Sequence, residues 1–193
     1  MLNKKAFQEM RKHMEAYDAL REQLIGESRK VLKASKQAIY AAHREDLSCA
    51  EKLLADAKKT ISKLHPILKK DVHLANVGAY NEALEEYAEA ACYVHYLKTK
   101  QIPTTEELGI DADVYLPALS DVVGELVRKA VNSSIKGDYK TALEIKDFVQ
   151  ELYHELMLFD WQNYGHVRKK FDAIKYGLEK LEDLSLQIKF KKQ

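Results

Sequence analysis

Four acidic side chains in two short stretches carry the clearest chemistry in this chain. Glu86 and Glu89 lie in Glu-Glu-Tyr-Ala-Glu-Ala (85–90), and Asp121 and Glu125 in Leu-Ser-Asp-Val-Val-Gly-Glu-Leu (119–126). Both stretches read as helix, and in each the carboxylates stand three or four positions apart, which stacks them on one helical face. Two such faces turned toward each other make an all-oxygen pocket for a hard divalent cation. Carboxylates crowded in this way resist ionising together until a cation neutralises them.

Each pair also has an inert explanation. At about 100° per residue, Tyr80, Leu84, Tyr87, Ala91 and Val94 cluster on one side of their helix, with Glu82, Glu86 and Glu89 nearly opposite. Glutamates opposite an apolar stripe ordinarily face water. The helix carrying Asp121 is less ordinary. Leu116, Leu119, Val122, Val123, Leu126, Val127, Ala130 and Val131 leave only a narrow polar strip, made of Asp121, Glu125, Arg128 and Asn132. Acids on a helix that is apolar on most sides must be paired, metal-bound or facing a cavity. Arg128 and Lys129 are within reach as partners, so an internal ion pair and a functional site both stay open. The seven histidines form no ligand pair on a shared face, and His95 reads as a packed or hydrogen-bonded side chain. There is no Gly-rich phosphate loop and no nucleophile elbow.

The elements that must position these residues are helices. The 193 residues suit one domain, 1–193, with a sizeable core. Apolar residues make up 46% and charged residues 32%, with only 7 Gly and 3 Pro, too few turn formers for a many-stranded sheet. The pattern predicts an all-α fold of six to seven long helices. The first runs over about 3–44, and a second over about 47–70, capped by Asp46 or Ser48 and kinked or ended by Pro66. A third covers about 74–100. A single turn at Thr104–Glu107 is closed by Gly109, and a long helix follows over about 111–136. Gly137 stops that helix, Asp138 caps the next one to about Phe159, and a last helix spans about 161–190. Phe171, Ile174, Leu178, Leu181 and Ile188 give that last helix a core or partner stripe. Cys49 and Cys92 have no metal-ligand spacing and fit a reducing interior, and no apolar run is long enough to span a bilayer. A cytoplasmic protein without membrane contact is the expectation.

A net charge of +1 supplies no global field for a polyanion, so any nucleic-acid surface must be a local patch. Arg29, Lys33 and Lys36 follow i, i+4, i+7 on the first helix, and Arg44 closes it. Lys58, Lys59, Lys63, Lys69, Lys70 and His73 crowd the second helix and the loop after it. Such runs are either solvated faces or phosphate contacts for a single strand, with Tyr40 or Tyr80 as stacking surfaces.

At these residues the chain resembles the translin superfamily, and within it the translin-associated factor X (TRAX) branch. Glu86-Tyr-Ala-Glu-Ala-Ala-Cys-Tyr-Val-His-Tyr-Leu-Lys-Thr99 is similar to a Glu-Tyr-x-Glu-Ala segment followed by His-Phe-x-Lys-Thr. Asp121-Val-Val-Gly-Glu-Leu-Val-Arg-Lys-Ala-Val-Asn-Ser133 with Gly137-Asp138 resembles the Asp-Leu-x-Gly-Glu-Leu-x-Arg…Asn-Ser…Gly-Asp block. Ser35 to Arg44 looks like the end of the TRAX first helix, and Arg168 to Glu182 looks more like translin's last helix. The resemblance covers about 15–190.

It implies an all-helical subunit of a hollow octamer, here a homo-octamer. It also implies a magnesium-dependent endoribonuclease site formed by Glu86, Glu89, Asp121 and Glu125, which would hold Mg²⁺ or Mn²⁺. Single-stranded RNA is the expected partner, with single-stranded DNA as a variant. The basic set expected to hold the strand is Arg29, Lys33, Lys36, Arg44, Lys69, Lys70, His73 and Arg128. The alternative is a translin-like shell that binds nucleic acid without cutting it. The chain departs from the TRAX pattern by about four extra residues around Val72–Leu84, which add Glu82 one turn above Glu86 as a possible further ligand. The loop from Gln101 to Asp113 is also shorter than its TRAX counterpart.

Overall fold

In the computed structural model, which describes residues 2–161 and 165–191, the first helix, α1 (Lys4–His43), is forty residues long, and the chain then reverses through a tight corner. The corner is Arg44-Glu45-Asp46. Glu45 adopts a left-handed backbone (φ 65°), and the Asp46 side chain accepts the Cys49 N–H at 3.0 Å to start α2 (Leu47–Leu68). Asp46, not Ser48, is therefore the cap. Pro66 sits in the last turn of α2, and the helix ends two residues later.

The chain gathers into two compact units, residues 1–90 and 91–193, and the boundary falls inside one helix. In the first unit α1 and α2 form an antiparallel pair. The seam on α1 is Leu24, Ser28, Val31, Ser35, Ala38 and Ala42, a strict four-three alternation of buried residues. Facing it from α2 are Ala50, Ala57, Ile61 and Leu64. Most of these side chains are small, which lets the two backbones come close. Leu74, fully buried, anchors a 3₁₀ turn (Val72–Asn76) against both helices. The expected start of the third helix near 74 thus becomes this turn, and α3 proper is Gly78–Thr99.

The second unit holds the end of α3, the single turn α4 (Thr105–Leu108), and the helices α5 (Ala112–Ile135), α6 (Tyr139–Met157) and α7 (Gly165–Lys191). Thr104 and Glu107 exchange side-chain-to-backbone hydrogen bonds in a capping box, and Gly109 closes α4 at φ 71°. His95 on α3 is a hydrogen-bonded side chain, with Nδ1 donating to the Gln101 carbonyl at 2.9 Å. Asp138 accepts the Thr141 N–H at 3.1 Å and so caps α6 as the sequence predicts. Residues 162–164, which fall in the predicted last helix, lie outside the described residues.

Helices α5, α6 and α7 pack on one another around Val122, Leu126, Ile145, Val149, Ile174 and Leu181, all nearly inaccessible to solvent. Phe171 stacks on Tyr153 and meets Trp161 at a tilt, and the Trp161 Nε1–H donates to the Leu156 carbonyl at 3.0 Å. Gly177 sets the separation of α5 and α7. A Cβ built there would lie 3.1 Å from Val123 Cγ1 and 3.3 Å from Val127 Cγ2. The fold is all-α, with no strand among the described residues, and none of its described helices is long and apolar enough to cross a membrane.

Two stability predictions follow from this packing. Gly177→Leu forces side-chain atoms into the α5–α7 contact and should destabilise the protein by about 1–3 kcal/mol in urea denaturation; an unchanged midpoint would show that the helices separate freely. Ser28 and Ser35 bury hydroxyls that have no hydrogen-bond partner among the described residues. Replacing both with Ala should therefore leave stability unchanged or raise it by about 1 kcal/mol, since no bond is lost and two polar groups need not be desolvated.

Candidate nucleic-acid interface and carboxylate faces

In the first unit the helical spacing of the α1 cations produces a groove. Arg29, Lys33, Lys36, Tyr40 and Arg44 recur every three or four residues and share one face of α1. They line a concavity of about 900 Å³, whose far wall comes from Asp46, Cys49 and Leu53 at the start of α2. Four of the eight residues expected to bind nucleic acid are thus brought together. Lys69, Lys70 and His73 are exposed but do not line this groove, because they lie past the last turn of α2, at the opposite end of that helix from Cys49.

The groove adjoins one of the carboxylates. Lys36 Nζ lies 3.8 Å from Glu86 Oε2, and the Glu86 side chain is only 18% exposed. Glu89 is also half-buried, whereas Glu82 is exposed. The water-facing reading of the α3 glutamates therefore holds for Glu82 and fails for Glu86 and Glu89. The reason is the breadth of burial: Ala83, Leu84, Tyr87, Ala88 and Ala90 are all buried, so the helix has only a narrow polar edge.

In the second unit Asp121 is held by a residue that its own helix does not supply. Lys170 on α7 donates from Nζ to Asp121 Oδ2 at 2.6 Å, and both side chains are 35% exposed. The nearby Arg128 instead approaches Glu125, at 3.8 Å. Burial pushes the Asp121 carboxyl up to about 6 from its ordinary 3.8, and burial likewise pulls Lys170 below its usual range. Tyr93 lies within the field of Glu125; burial first, and then that negative charge, raise its phenol well above the usual value. Lys170 could not be found from spacing, because 49 residues separate it from its partner.

As ligands for a hard cation the four acids are right in kind, being oxygen donors that are partly withdrawn from solvent. Among the described residues, however, no three His, Cys, Asp or Glu side chains are gathered closely enough to hold a metal ion. Glu86, Asp121 and Glu125 instead lie beside the protein cations Lys36, Lys170 and Arg128.

The translin family profile matches residues 19–192, nearly the whole chain. This protein belongs to the translin family. Translin-associated protein X of Pongo abelii and of Mus musculus are each 24% identical over 225 residues, spanning 95% of this chain and 77% of theirs. Translin of Gallus gallus is 34% identical over 115 residues, 52% of this chain and 50% of that one. The crystal structure of apo-NeC3PO superposes with a TM-score of 0.86 at 28% identity, covering 97% of this chain and 98% of that one. A structure described as an AfC3PO–duplex RNA complex gives a TM-score of 0.87 at 24% identity, covering 96% and 97%, and bears on the fold alone.

The raised Asp121 carboxyl makes stability depend on pH in a definite direction. Because its folded-state value exceeds the unfolded one, the folded protein binds more protons between about pH 4 and pH 6, and this group's contribution falls as pH rises through that window. Asp121→Asn removes the titration. The stability of the variant relative to the parent should therefore climb from about pH 4 to pH 6 and level off above, measured by urea denaturation at a series of pH values. A constant difference would show that the carboxyl titrates alike in both states.

Proposed function

We propose that this translin-family protein binds nucleic acid along the basic face of α1, assembles with copies of itself, and cleaves single-stranded RNA beside that face. The observation that carries the reading is the continuity of the groove with Glu86 through Lys36, at 3.8 Å. A phosphodiester held by Arg29, Lys33, Lys36 and Arg44 would lie next to a partly desolvated carboxylate, which is where a hydrolytic site needs it. Cations spaced along one helix face contact the backbone and not the bases, so sequence preference should be weak and binding should fall steeply with salt.

Glu86, Glu89, Asp121 and Glu125 are the residues that would hold Mg²⁺ or Mn²⁺, with Glu82 as an exposed outer neighbour. Bound there, the ion would polarise a phosphoryl oxygen and lower the pKa of a water. The chain's own residues do the rest. The α1 cations fix the strand, Arg128 offers a further guanidinium on the polar strip of α5, and Lys170 keeps Asp121 oriented. Glu125 would orient or deprotonate a nucleophilic water. The relatives named C3PO support self-association, and a homo-octamer is the assembly we propose.

A second reading is favoured by the ion pairs themselves. Carboxylates already neutralised by Lys36 and Lys170 need no metal, and a shell of such subunits would bind strands without cutting them, as a translin-like protein.

The test is labelled single-stranded RNA incubated with the parent and with the Glu86→Ala/Glu89→Ala variant, in Mg²⁺ and in EDTA. Cleavage should require the metal and fall about 100-fold or more in the variant, while binding persists in EDTA. A variant that assembles normally on sizing and cuts at the parental rate would remove these acids from the site. Binding without cleavage in every condition would establish the second reading.

A further inference from the structure

The groove on α1 contains more than charge. Between Lys36 and Arg44 in its row of cations stands Tyr40, 64% exposed, a degree of exposure that nothing in helix packing calls for in an aromatic side chain. Its wheel neighbours are Lys33, Lys36 and Arg44 on the same face, and the wall opposite is formed by Asp46, Cys49 and Leu53, of which Cys49 and Leu53 carry no charge. Leu32, Ala41 and Leu53 add apolar surface to the groove beside its four cations. The sequence offers Tyr40 and Tyr80 equally as stacking surfaces. The structure separates them, since Tyr80 is 8% exposed and belongs to the core.

We infer that Tyr40 is a base-stacking platform, and that with Cys49 and Leu53 it forms a subsite for one unpaired nucleobase whose flanking phosphates are held by Lys36 and Arg44. This rests on the proposed nucleic-acid binding and adds a specificity to it. A purely cationic groove attracts any polyanion, paired or not. An aromatic face set among the cations rewards only a strand whose bases can leave their own stack, because in a duplex the faces are already occupied. The subsite is indifferent to which base it receives, as every base has a π-face, and therefore it selects for single-strandedness without reading sequence. The contact is made by the ring, so the phenolic hydroxyl is dispensable.

The experiment compares the full-length parent with Tyr40→Ala, Tyr40→Phe and Tyr40→Trp, in EDTA so that no strand is cut. Three probes are titrated at fixed salt: a 12-nucleotide uridine RNA, an abasic strand of the same length, and a blunt duplex. Tyr40→Ala should bind the uridine strand about 5- to 100-fold more weakly than the parent. It should bind the abasic strand and the duplex unchanged. Tyr40→Phe should bind like the parent, and Tyr40→Trp should show fluorescence quenching with the uridine strand and none with the abasic one. Because Tyr40 is exposed, these variants should keep the parental circular dichroism. An equal loss on the uridine and abasic strands, or no loss on either, overturns the stacking subsite while leaving strand binding in place. A parent that binds none of the three probes overturns the proposed function and the subsite with it.

Discussion

A carboxylate that is half withdrawn from water must find a positive charge, and this requirement organises both halves of the chain. α5 is apolar around most of its circumference, so Asp121 is partly withdrawn from solvent and is met by Lys170 at 2.6 Å. α3 is buried nearly all round from Ala83 to Ala90, so Glu86 is met by Lys36. In neither case does the partner come from the acid's own helix. The ion pairs consequently depend on how helices are set against one another, which returns the problem to the cores. Gly177, whose missing side chain lets α7 lie against Val123 and Val127, is as much a part of the Asp121 site as Lys170 is.

The helices were legible in the sequence because their signals are local. Asp138 caps α6, Gly109 ends α4, and the apolar periodicities set the lengths of α5 and α7. The cation row of α1 was legible for the same reason, since i, i+4 and i+7 alone place Arg29, Lys33 and Lys36 on one face. What could not be read is whatever depends on a second helix. The wheel set Glu86 and Glu89 opposite an apolar stripe and gave them to water. It missed that the small side chains between them, Ala83, Ala88 and Ala90, are buried as well. An alanine reads as neutral on a wheel, yet it is the residue that allows another backbone close. The same ambiguity hid the seam of α1, where Ser28 and Ser35 are polar in type and buried in fact.

What Pro66 and Pro117 cost their helices is set by one rule. A proline removes one N–H donor, and the penalty depends on whether the helix still needs that bond. Pro66 stands in the last turn of α2, where there is little helix left to break. Pro117 stands in the second turn of α5, buried, and the helix continues through it because eight further buried positions reward its continuation. Packing overrides local preference where the buried face is long enough.

Lys36 deserves separate weight because it belongs to two features at once. It lines the groove, and it is the nearest cation to Glu86. At 57% exposure it is loosely held, and a separation of 3.8 Å between exposed and half-buried partners is a weak contact that solvent and salt screen. Any anion entering the groove therefore competes with Glu86 for the same ammonium. To the extent that the anion wins, Glu86 is left a partly desolvated negative charge with diminished compensation, and its affinity for any other cation rises. On the proposed function, occupancy of the groove and cation binding at Glu86 would be coupled through this one side chain, and linkage would make that coupling reciprocal. Asp121 is different. Its ion pair is short, and Lys170 is as withdrawn from solvent as the acid it serves. The two acidic faces thus differ in how firmly each protein cation is held: Lys36 stands 3.8 Å from Glu86 and is 57% exposed, whereas Lys170 stands 2.6 Å from Asp121 and is 35% exposed.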